Sequence, residues 1–487
     1  MNCSEATTAQ SRTAIVWFRQ DLRTDDNPAL AAAAKSDAVI PVYIWDPDGE
    51  GDLPPGAASR WWLHQSLVAL DAELRPKGSR LVLRRGASAD VLRDLIRETG
   101  AEAVFWNRRY EPAVIERDQG IKSALKAQGI DAQSFNSGLL FEPWTIETKG
   151  GTPYQVFTPF WKACLAATPP ARPLPSPKEI SPPDAWPESL SLDDLQLEPK
   201  IDWANGIREA WTPGTCGARQ ELQRFLKTSA DAYSDTRDLP ATTGTSRLSP
   251  HLHFGEISPR RIWHKLMEWG ADASHDSEPY LRQLVWREFA HHLLYHFPHT
   301  TNRPLRSNFE NFPWATNARN LKAWQQGRTG YPFVDAGMRE LWTTGWMHNR
   351  VRMVVASFLV KDLLISWTEG ARWFWDTLVD ADLANNTLGW QWTAGCGADA
   401  APFFRVFNPM SQGQKFDPDG GYVRRWVPEL ALLPNRWIHA PFDAPADVLE
   451  TAGIALGRDY PHPIVDHAAS RQLALDAYAG IRTSEAT

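Results

Sequence analysis

Two carboxylates, two adjacent asparagines and two indoles lie within the thirteen residues from Asp380 to Trp392. Asp380 and Asp382 are two residues apart, so on a helix their side chains would diverge, and a turn or a helix start is expected there. Such residues either cap a helix or accept hydrogen bonds from a ligand. The indoles offer stacking surface and an easily oxidised ring. The segment is therefore predicted to have a role that uses the stacking and redox properties of tryptophan.

A second polar group combines hydroxyls with a cation. It comprises Thr245, Ser246, Arg247, Leu248 and Ser249. Hydroxyls, backbone amides and a cation, in a loop that leads into a helix, are what a pyrophosphate needs. The alternative is a plain helix start, with Ser249 as the cap before Pro250.

The composition is typical of a soluble globular protein of two or three domains, with 487 residues, 43% hydrophobic and 22% charged. No apolar run is long enough to cross a bilayer, and residues 1–11 are small and polar, as in a frayed tail. Cys3, Cys164, Cys216 and Cys396 have no metal-binding spacing, which fits a reducing cytoplasm. The net charge of −7 argues against indiscriminate coating of nucleic acid but allows a local basic groove.

Short apolar runs alternate with helical patterns over residues 12–140. The runs are Thr13–Phe18, Ala38–Trp45, Arg80–Arg84 and Ala103–Trp106, and the helical stretches include Ser59–Leu74 and Ser88–Glu98. This alternation predicts an α/β N-terminal domain with a parallel, doubly wound sheet covered on both faces. The stretch lacks a Gly-x-Gly-x-x-Gly fingerprint, so dinucleotide binding of the usual kind is not expected in it.

Prolines mark a change of character after this domain. Eight lie between Pro169 and Pro187, a density that prevents a helix and predicts a long connection, pinned to the surface because Trp186 interrupts it. We place the interdomain linker at residues 141–210. Residues 211–487 are rich in helix formers and predict an all-helical C-terminal domain. Its helical runs are Gly217–Lys227, Pro259–Trp269, Glu278–His296, Asp335–Ile365 and Ala468–Gly480.

Five strings, in order and almost from end to end, resemble one protein family. They are Trp17–Arg23, Gly244–Gly255, Trp286–Phe289, Thr344–Met353 and Asp380–Pro409. They resemble the DNA photolyases and cryptochromes, most of all the bacterial cyclobutane pyrimidine dimer photolyases of class I or class III. The resemblance implies light-driven repair of these dimers by electron transfer from excited, reduced FAD to a dimer flipped out of the DNA. The alternative that it implies is a cryptochrome-type blue-light photoreceptor without repair activity.

The resemblance implies an FAD site built around the hydroxyl loop. The implied residues are Tyr233, Thr245, Ser246, Arg247, Leu248, Ser249, Tyr280, Arg352, Asp380, Asp382 and Asn386. Asp380 is expected to pair with Arg352 beside the flavin rings, and Asp382 to accept from the flavin or the ribose. Asn386 would face the central-ring nitrogen, where an amide can donate or accept and favours repair over signalling.

Three tryptophans match the electron path of the family from flavin to surface. Trp390 is expected nearest the flavin and Trp314 nearest solvent, with Trp367 between them. Taken singly, each is more typical of core packing. Their implied role is photoreduction of oxidised flavin rather than the repair step, and with Asn386 they are the predicted catalytic residues.

The resemblance also implies a surface that binds dimer-containing DNA. The implied residues are Arg237, Gln283, Trp286, Arg287, Asn349, Arg350, Met353, Trp392, Arg405 and Gln412. Trp286 and Trp392 would stack on the dimer, while the arginines hold the DNA backbone unless they form ordinary salt bridges. Met353 stands where (6-4) photoproduct enzymes have a histidine, which favours the cyclobutane dimer. Many dimer enzymes have a glutamate where this chain has Gln283. Glutamine can still hydrogen-bond the base edges, but it carries no charge.

A second, light-harvesting chromophore is implied for the N-terminal domain, as methenyltetrahydrofolate or a deazaflavin. The loop Asn107–Pro112 lies at the expected strand end, where open sheets bind ligands. Ala113 and Val114 replace the Asn-Glu of one folate-binding pattern. The cryptochrome alternative is disfavoured by Asn386 and Met353, and by an end at Thr487 soon after the helical domain. We expect a cytoplasmic monomer that binds no metal and no membrane.

Overall fold

The computed structural model describes residues 12–271, 275–400 and 404–483, so the predicted N-terminal tail and Cys3 lie outside the described residues. Five parallel strands form one sheet in the order β3-β2-β1-β4-β5. The strands are β1 Thr13–Phe18, β2 Ala38–Trp45, β3 Val82–Arg85, β4 Ala103–Asn107 and β5 Asp131–Phe135. Sequence patterns predicted the first four but missed β5, because this edge strand carries only one fully buried residue, Ala132.

Four helices cover the two faces of this sheet. They are α1 Pro28–Ala33, α2 Ala57–Leu74, α3 Ser88–Thr99 and α4 Pro112–Ala127. Alternate residues of β1 enter separate apolar clusters, Val16 with Trp62 and Leu67 of α2, and Ile15 with Leu92 of α3. The predicted doubly wound α/β fold is confirmed. The strand order reverses between β1 and β4, which leaves a crevice at their carboxyl ends.

The proline-rich connection lies along the sheet domain, as predicted. Ile180 donates its N–H to the Lys77 carbonyl at 2.9 Å, and Leu190 donates to the Leu83 carbonyl at the same distance. Trp186 packs under the Arg80 guanidinium. Two helices lie within the stretch expected to be linker, α5 Phe157–Ala166 before these prolines and α6 Asn205–Ala210 after them.

Helices dominate the rest of the described chain. They are α6 Asn205–Ala210, α7 Thr215–Thr228, α8 Tyr233–Thr236, α9 Ser249–His253, α10 Pro259–Trp269, α11 Glu278–His296, α12 Ala318–Gln325, α13 Pro332–Thr344, α14 Asn349–Ser357, α15 Trp367–Thr377, α16 Leu383–Ala394, α17 Pro409–Phe416, α18 Gly421–Trp426, α19 Ala446–Thr451 and α20 His467–Thr483. The predicted all-helical half is confirmed, and α10 and α11 have the predicted bounds. Helix α16 packs against α11, α14 and α15.

One predicted helical run is wrong as a single element. The stretch Asp335–Ile365 is divided into α13, α14 and a π-helical turn at Phe358–Asp362. Gly345 ends α13 with a φ of 66°, a left-handed conformation that glycine adopts without strain. His348 then starts α14 by accepting a hydrogen bond from the Arg350 N–H. The apolar spacing continues through this break because both helices face the same core.

No helix among the described residues is long and apolar enough to cross a membrane. The same residues contain no cluster of three or more histidine, cysteine or acidic side chains that could hold a metal ion. Cys164, Cys216 and Cys396 are free thiols.

Candidate functional site

The two spaced carboxylates lie at the start of α16, as their spacing predicted. Asp382 caps the helix, since its Oδ1 accepts from the Asn385 N–H at 2.8 Å. Asp380 accepts from the Arg352 guanidinium at 2.8 and 3.0 Å, so the structure brings the predicted pair together. Asn386 donates its side-chain N–H to the Ala371 carbonyl of α15 at 3.0 Å. This bond fixes the orientation of the Asn386 amide.

Two histidines that sequence reasoning missed flank Asp382. His291 Nε2 lies 3.5 Å and His253 Nδ1 4.0 Å from Asp382 Oδ2. Burial alone would raise the pKa of Asp382, but His291, Arg287 and His253 outweigh it and hold the pKa well below its usual range. The carboxylate therefore stays ionised. Nothing in the sequence marks these histidines, because only the packing of α9 and α11 brings them to α16.

The hydroxyl loop passes beside two tyrosines. Tyr280 donates its hydroxyl to Ser246 Oγ at 2.6 Å, and the Tyr233 ring lies edge-on to Tyr280 at 5.3 Å. Helix α9 begins at Ser249 itself, and no side chain caps it. The alternative in which Ser249 serves as the cap is therefore wrong, and the loop hydroxyls are not used to start the helix.

Arg247 adopts a left-handed backbone conformation, with φ of 55°. Its guanidinium lies 4.1 Å from the centre of the Trp211 ring and 5.4 Å from that of Trp346. Among the described residues no carboxylate forms a salt bridge with it. A positive charge therefore stands beside the hydroxyls without an anion of its own.

Arg224 of α7 is a second cation at this loop, and the sequence motifs do not include it. It donates to the Thr245 carbonyl at 2.9 Å and pairs with Glu221 at 2.8 Å. Its Nη1 is buried and has no hydrogen-bond partner among the described residues. Buried donors are nearly always satisfied, so a free one next to hydroxyls fits a phosphate ligand. The donor set thus suits the pyrophosphate of FAD.

The three predicted tryptophans run from the interior to the surface. Trp390 and Trp367 are buried, whereas Trp314 is partly exposed, and all three adjoin one apolar cluster. The Trp390 ring is flanked by Phe374 at 5.0 Å and by Trp324 at 6.2 Å. The partial exposure of Trp314 is consistent with the position nearest solvent that was predicted for it, whereas burial does not distinguish Trp390 from Trp367.

Several predicted DNA-binding residues lie together where α8, α11 and α14 meet. Arg237 donates to Gln283 Oε1 at 3.3 Å, and Arg350 pairs with Asp238 at 2.6 Å. Trp286 stacks on Phe157 with ring centres 3.7 Å apart. Asn349 and Met353 belong to α14, and Trp392 belongs to α16; all three are at least partly exposed.

Three of the predicted DNA contacts have other surroundings. Arg287 donates to the Gly138 carbonyl at 2.7 Å. Arg405 is exposed over the Phe407 ring, and Gln412 is buried with an Oε1 that has no hydrogen-bond partner in the described part of the chain. The neighbouring Glu288 accepts from two N–H groups that follow Gly138, and burial raises its pKa to about 7. Arg287 therefore helps to join the two halves of the chain.

A cavity opens at the carboxyl end of the sheet, at the switch between β1 and β4. Its walls include Trp17, Tyr43 and Trp45. The predicted loop contributes Arg109 and Glu111 to these walls, while Asn107 is buried below them. Arg109 bonds both Glu50 oxygens at 2.6 Å and Glu111 at 2.8 Å. His253 of α9 also lines the cavity, so it lies between this crevice and Asp382.

Comparison with known proteins places both halves in one family. Residues 14–178 match the family model described as DNA photolyase, and residues 280–480 match the FAD binding domain of DNA photolyase. A deoxyribodipyrimidine photo-lyase of Agrobacterium fabrum is 50% identical over 96% of this chain and 98% of its own length. Cryptochrome-1 of Arabidopsis thaliana is 44% identical over 93% of this chain and 68% of its own.

The three-dimensional structure is similar to solved structures of photolyases and cryptochromes. The crystal structure of a bacterial class III photolyase from Agrobacterium tumefaciens superposes with a TM-score of 0.94 at 48% identity. The superposition covers 99% of this chain and 100% of that one. A Synechocystis cryptochrome superposes with a TM-score of 0.88 at 30% identity.

Proposed function

We propose that this chain, which belongs to the DNA photolyase family, uses light to repair cyclobutane pyrimidine dimers in DNA. The observation that carries the proposal is the arrangement around α16. One short helix begins at the ionised Asp382, then presents Asn386 and Trp390, and ends near Trp392. It thus joins a ligand-binding carboxylate, an oriented amide, a buried indole and a partly exposed one.

The residues that would hold FAD are those of the hydroxyl loop and those at the start of α16. The hydroxyls and cations around Ser246 suit its phosphates, and Asp382 suits a hydroxyl or ring N–H donor, since it is an anion with two accepting oxygens. Arg352 keeps Asp380 in place. When bound and reduced, FAD supplies the light absorption and the electron that open the cyclobutane ring.

The side chains of the protein bind the dimer and the DNA backbone around it. A dimer inside a duplex is out of reach, so it is flipped out into a pocket. Trp286 and Trp392 stack on it, and Asn349 and Gln283 bond the base edges. Arg237 and Arg350 hold the DNA backbone, where phosphate contacts set the register. In the free protein Asp238 pairs with Arg350, so DNA binding exchanges this carboxylate for a phosphate.

The pocket favours the cyclobutane dimer over the (6-4) photoproduct. Repair of the (6-4) product requires proton transfer, and Met353 has no proton to give. His348 is close in sequence but is buried, and its Nδ1 accepts from the Arg350 N–H. Burial lowers the pKa of His348 to about 4, so it is neutral at pH 7.

The alternative is a photoreceptor that binds flavin without repair, because a cryptochrome shares 44% of the sequence. Both candidates use the same fold, and the pocket residues separate them. Asn386 beside the flavin site, with Trp286 and Trp392 as stacking walls, favours repair.

We further propose that the cavity at the sheet end holds an antenna chromophore. Its aromatic walls, which include Trp17, Tyr43 and Trp45, suit the flat ring of a folate or a deazaflavin. The absorption spectrum of the purified protein distinguishes these two chromophores. Residues 12–140, 141–210 and 211–487 are the proposed domains and linker, and a cytoplasmic monomer is the proposed state, in line with the free cysteines.

The direct test is repair in the light. Purified protein, loaded with FAD and chemically reduced, is illuminated with an oligonucleotide that contains one thymine dimer, and restored thymines are measured by chromatography. We expect repair in the light and none in the dark. Flavin binding without repair would favour the photoreceptor, and failure to take up FAD would exclude both.

A further inference from the structure

Gly370 is a glycine inside a helix, where glycine is unfavourable. It is the fourth residue of α15, has helical neighbours on both sides and has no left-handed φ to justify it. Alanine would stabilise a helix at such a position because it loses less backbone freedom on folding. The structure therefore needs another reason for the missing side chain.

The reason is the indole of Trp390. A Cβ on Gly370 would lie 2.6 Å from Cζ2 of Trp390, and closer still to Cη2 and Cζ3. Real Cβ atoms essentially never approach other atoms within 3.0 Å. The far edge of the Trp390 ring thus rests directly on the bare backbone of α15.

The Trp390 ring also packs against two other aromatic rings. Phe374, one turn after Gly370 on α15, lies edge-on to the Trp390 ring at 5.0 Å, and Trp324 lies at 6.2 Å. The three neighbours of Trp390, which are Gly370, Phe374 and Trp324, are all buried. A methyl group at position 370 would therefore push the indole away from α15 or separate α15 from α16.

The same face of α15 carries the next tryptophan of the predicted electron path. Trp367 is three residues before Gly370, so both lie on one side of the helix, and both are buried there. The bare backbone at position 370 brings the Trp390 ring to the helix within one turn of Trp367. An electron passes between two rings the more slowly the wider their gap.

We propose that Gly370 is a positioning residue for electron transfer, which sets the gap between Trp390 and Trp367 by having no side chain. The role rests on the proposed function, since it serves the photoreduction of bound FAD. It adds to the chain of three tryptophans a residue that cannot itself be oxidised.

The first experiment separates photoreduction from repair. In FAD-loaded protein, Gly370→Ala should slow photoreduction by an external reductant by about tenfold or more, since small misplacements of reacting groups have effects of this size. FAD content should be unchanged, and dimer repair should survive when the flavin is reduced chemically beforehand. The matched control is Glu369→Ala, at the adjacent position on α15, where the side chain is partly exposed and, within the described ranges, forms a salt bridge with Arg372 alone. It should leave photoreduction unchanged.

The second experiment tests the contact itself by thermal unfolding. Gly370→Ala should lower the melting temperature when Trp390 is present. In the Trp390→Phe background the same change should raise it, because phenylalanine lacks the outer ring atoms that meet the methyl group, and the helix then gains from alanine.

Equal photoreduction in Gly370→Ala and the unmodified protein would overturn the proposal, and so would an equal loss of stability in both backgrounds. A protein that takes up no FAD would overturn the proposed function and the electron-transfer role with it. The reversal of sign in the melting temperature would still report the contact in that case.

Discussion

The sheet end and the hydroxyl loop both contain arginines, but the two regions differ in how far protein carboxylates balance the arginine charge. At the sheet end Arg109 faces Glu50 and Glu111 at close range, so its charge is balanced within the protein. At the loop, and among the residues that the structure describes, Arg224 has one carboxylate partner and a buried Nη1 without a hydrogen bond, while Arg247 packs on an indole instead of an acid. A balanced cluster holds structure together, whereas an unbalanced one is completed by an anionic ligand.

The largest expected effect concerns the helical half of the chain, which contains the proposed FAD site and electron path. Trp390→Phe should abolish photoreduction of oxidised FAD, because the proposed electron path loses the indole nearest the flavin. Absorbance of the flavin under illumination with an external reductant measures this. Repair by chemically reduced protein should survive. Equal loss of both activities would show that Trp390 has another role or that the pocket has collapsed.

The balanced cluster is tested by removing one of its charges. Glu50→Gln should lower the free energy of unfolding by about 1–3 kcal/mol, because buried Arg109 loses part of its compensation. Urea titration followed by tryptophan fluorescence gives this value. FAD affinity should be unchanged, since the cluster lies at the other site. Weakened FAD binding in this variant would remove the distinction between the two clusters.

The unbalanced cluster is tested by ligand affinity. Arg224→Gln should weaken FAD binding to the apoprotein by about tenfold, the worth of one hydrogen bond to a charged group. Binding of riboflavin, which has no phosphate, should be unaffected, and Arg224→Lys should recover part of the loss. Fluorescence titration measures all three. Equal losses for FAD and riboflavin would mean that Arg224 only supports the fold.

The smallest effect is a pH dependence confined to the helical half. Burial lowers the pKa of His348 to about 4, below its unfolded value of about 6.5. The unfolded state takes the proton first as pH falls, so stability is lost from about pH 6.5 downward to about pH 4. Asparagine at this position can still cap α14. Between pH 6 and pH 5 the free energy of unfolding of His348→Asn should therefore fall by about 1 kcal/mol less than that of the unmodified protein. The midpoints of urea unfolding of both proteins at these two pH values test this. Equal losses of stability in the two proteins would show that His348 does not cause the pH dependence.

How much the sequence predicted differs between elements. Strands β1 and β2 and helices α10 and α11 were predicted with their bounds, because continuous apolar runs and helical spacing are local signals. Strand β5 was missed, since an edge strand needs few apolar residues.

The site divides in the same way. The pairing of Asp380 with Arg352 could be expected from motifs, because both belong to strings that the family shares. Arg224, His291 and Gly370 could not, since their roles depend on how separate helices and loops pack against one another. Gly370 did leave a local signal, a glycine in a helical run, but only the Trp390 ring explains it.

Lesion choice tests the central claim most directly. One illuminated mixture contains FAD-loaded, reduced protein with two duplexes of equal length, one with a cyclobutane dimer and one with a (6-4) photoproduct. The stacking walls and the proton-free Met353 predict that the cyclobutane dimer is restored in the light while the (6-4) product persists. Repair of the (6-4) product at a similar rate, or persistence of the cyclobutane dimer, would contradict the account.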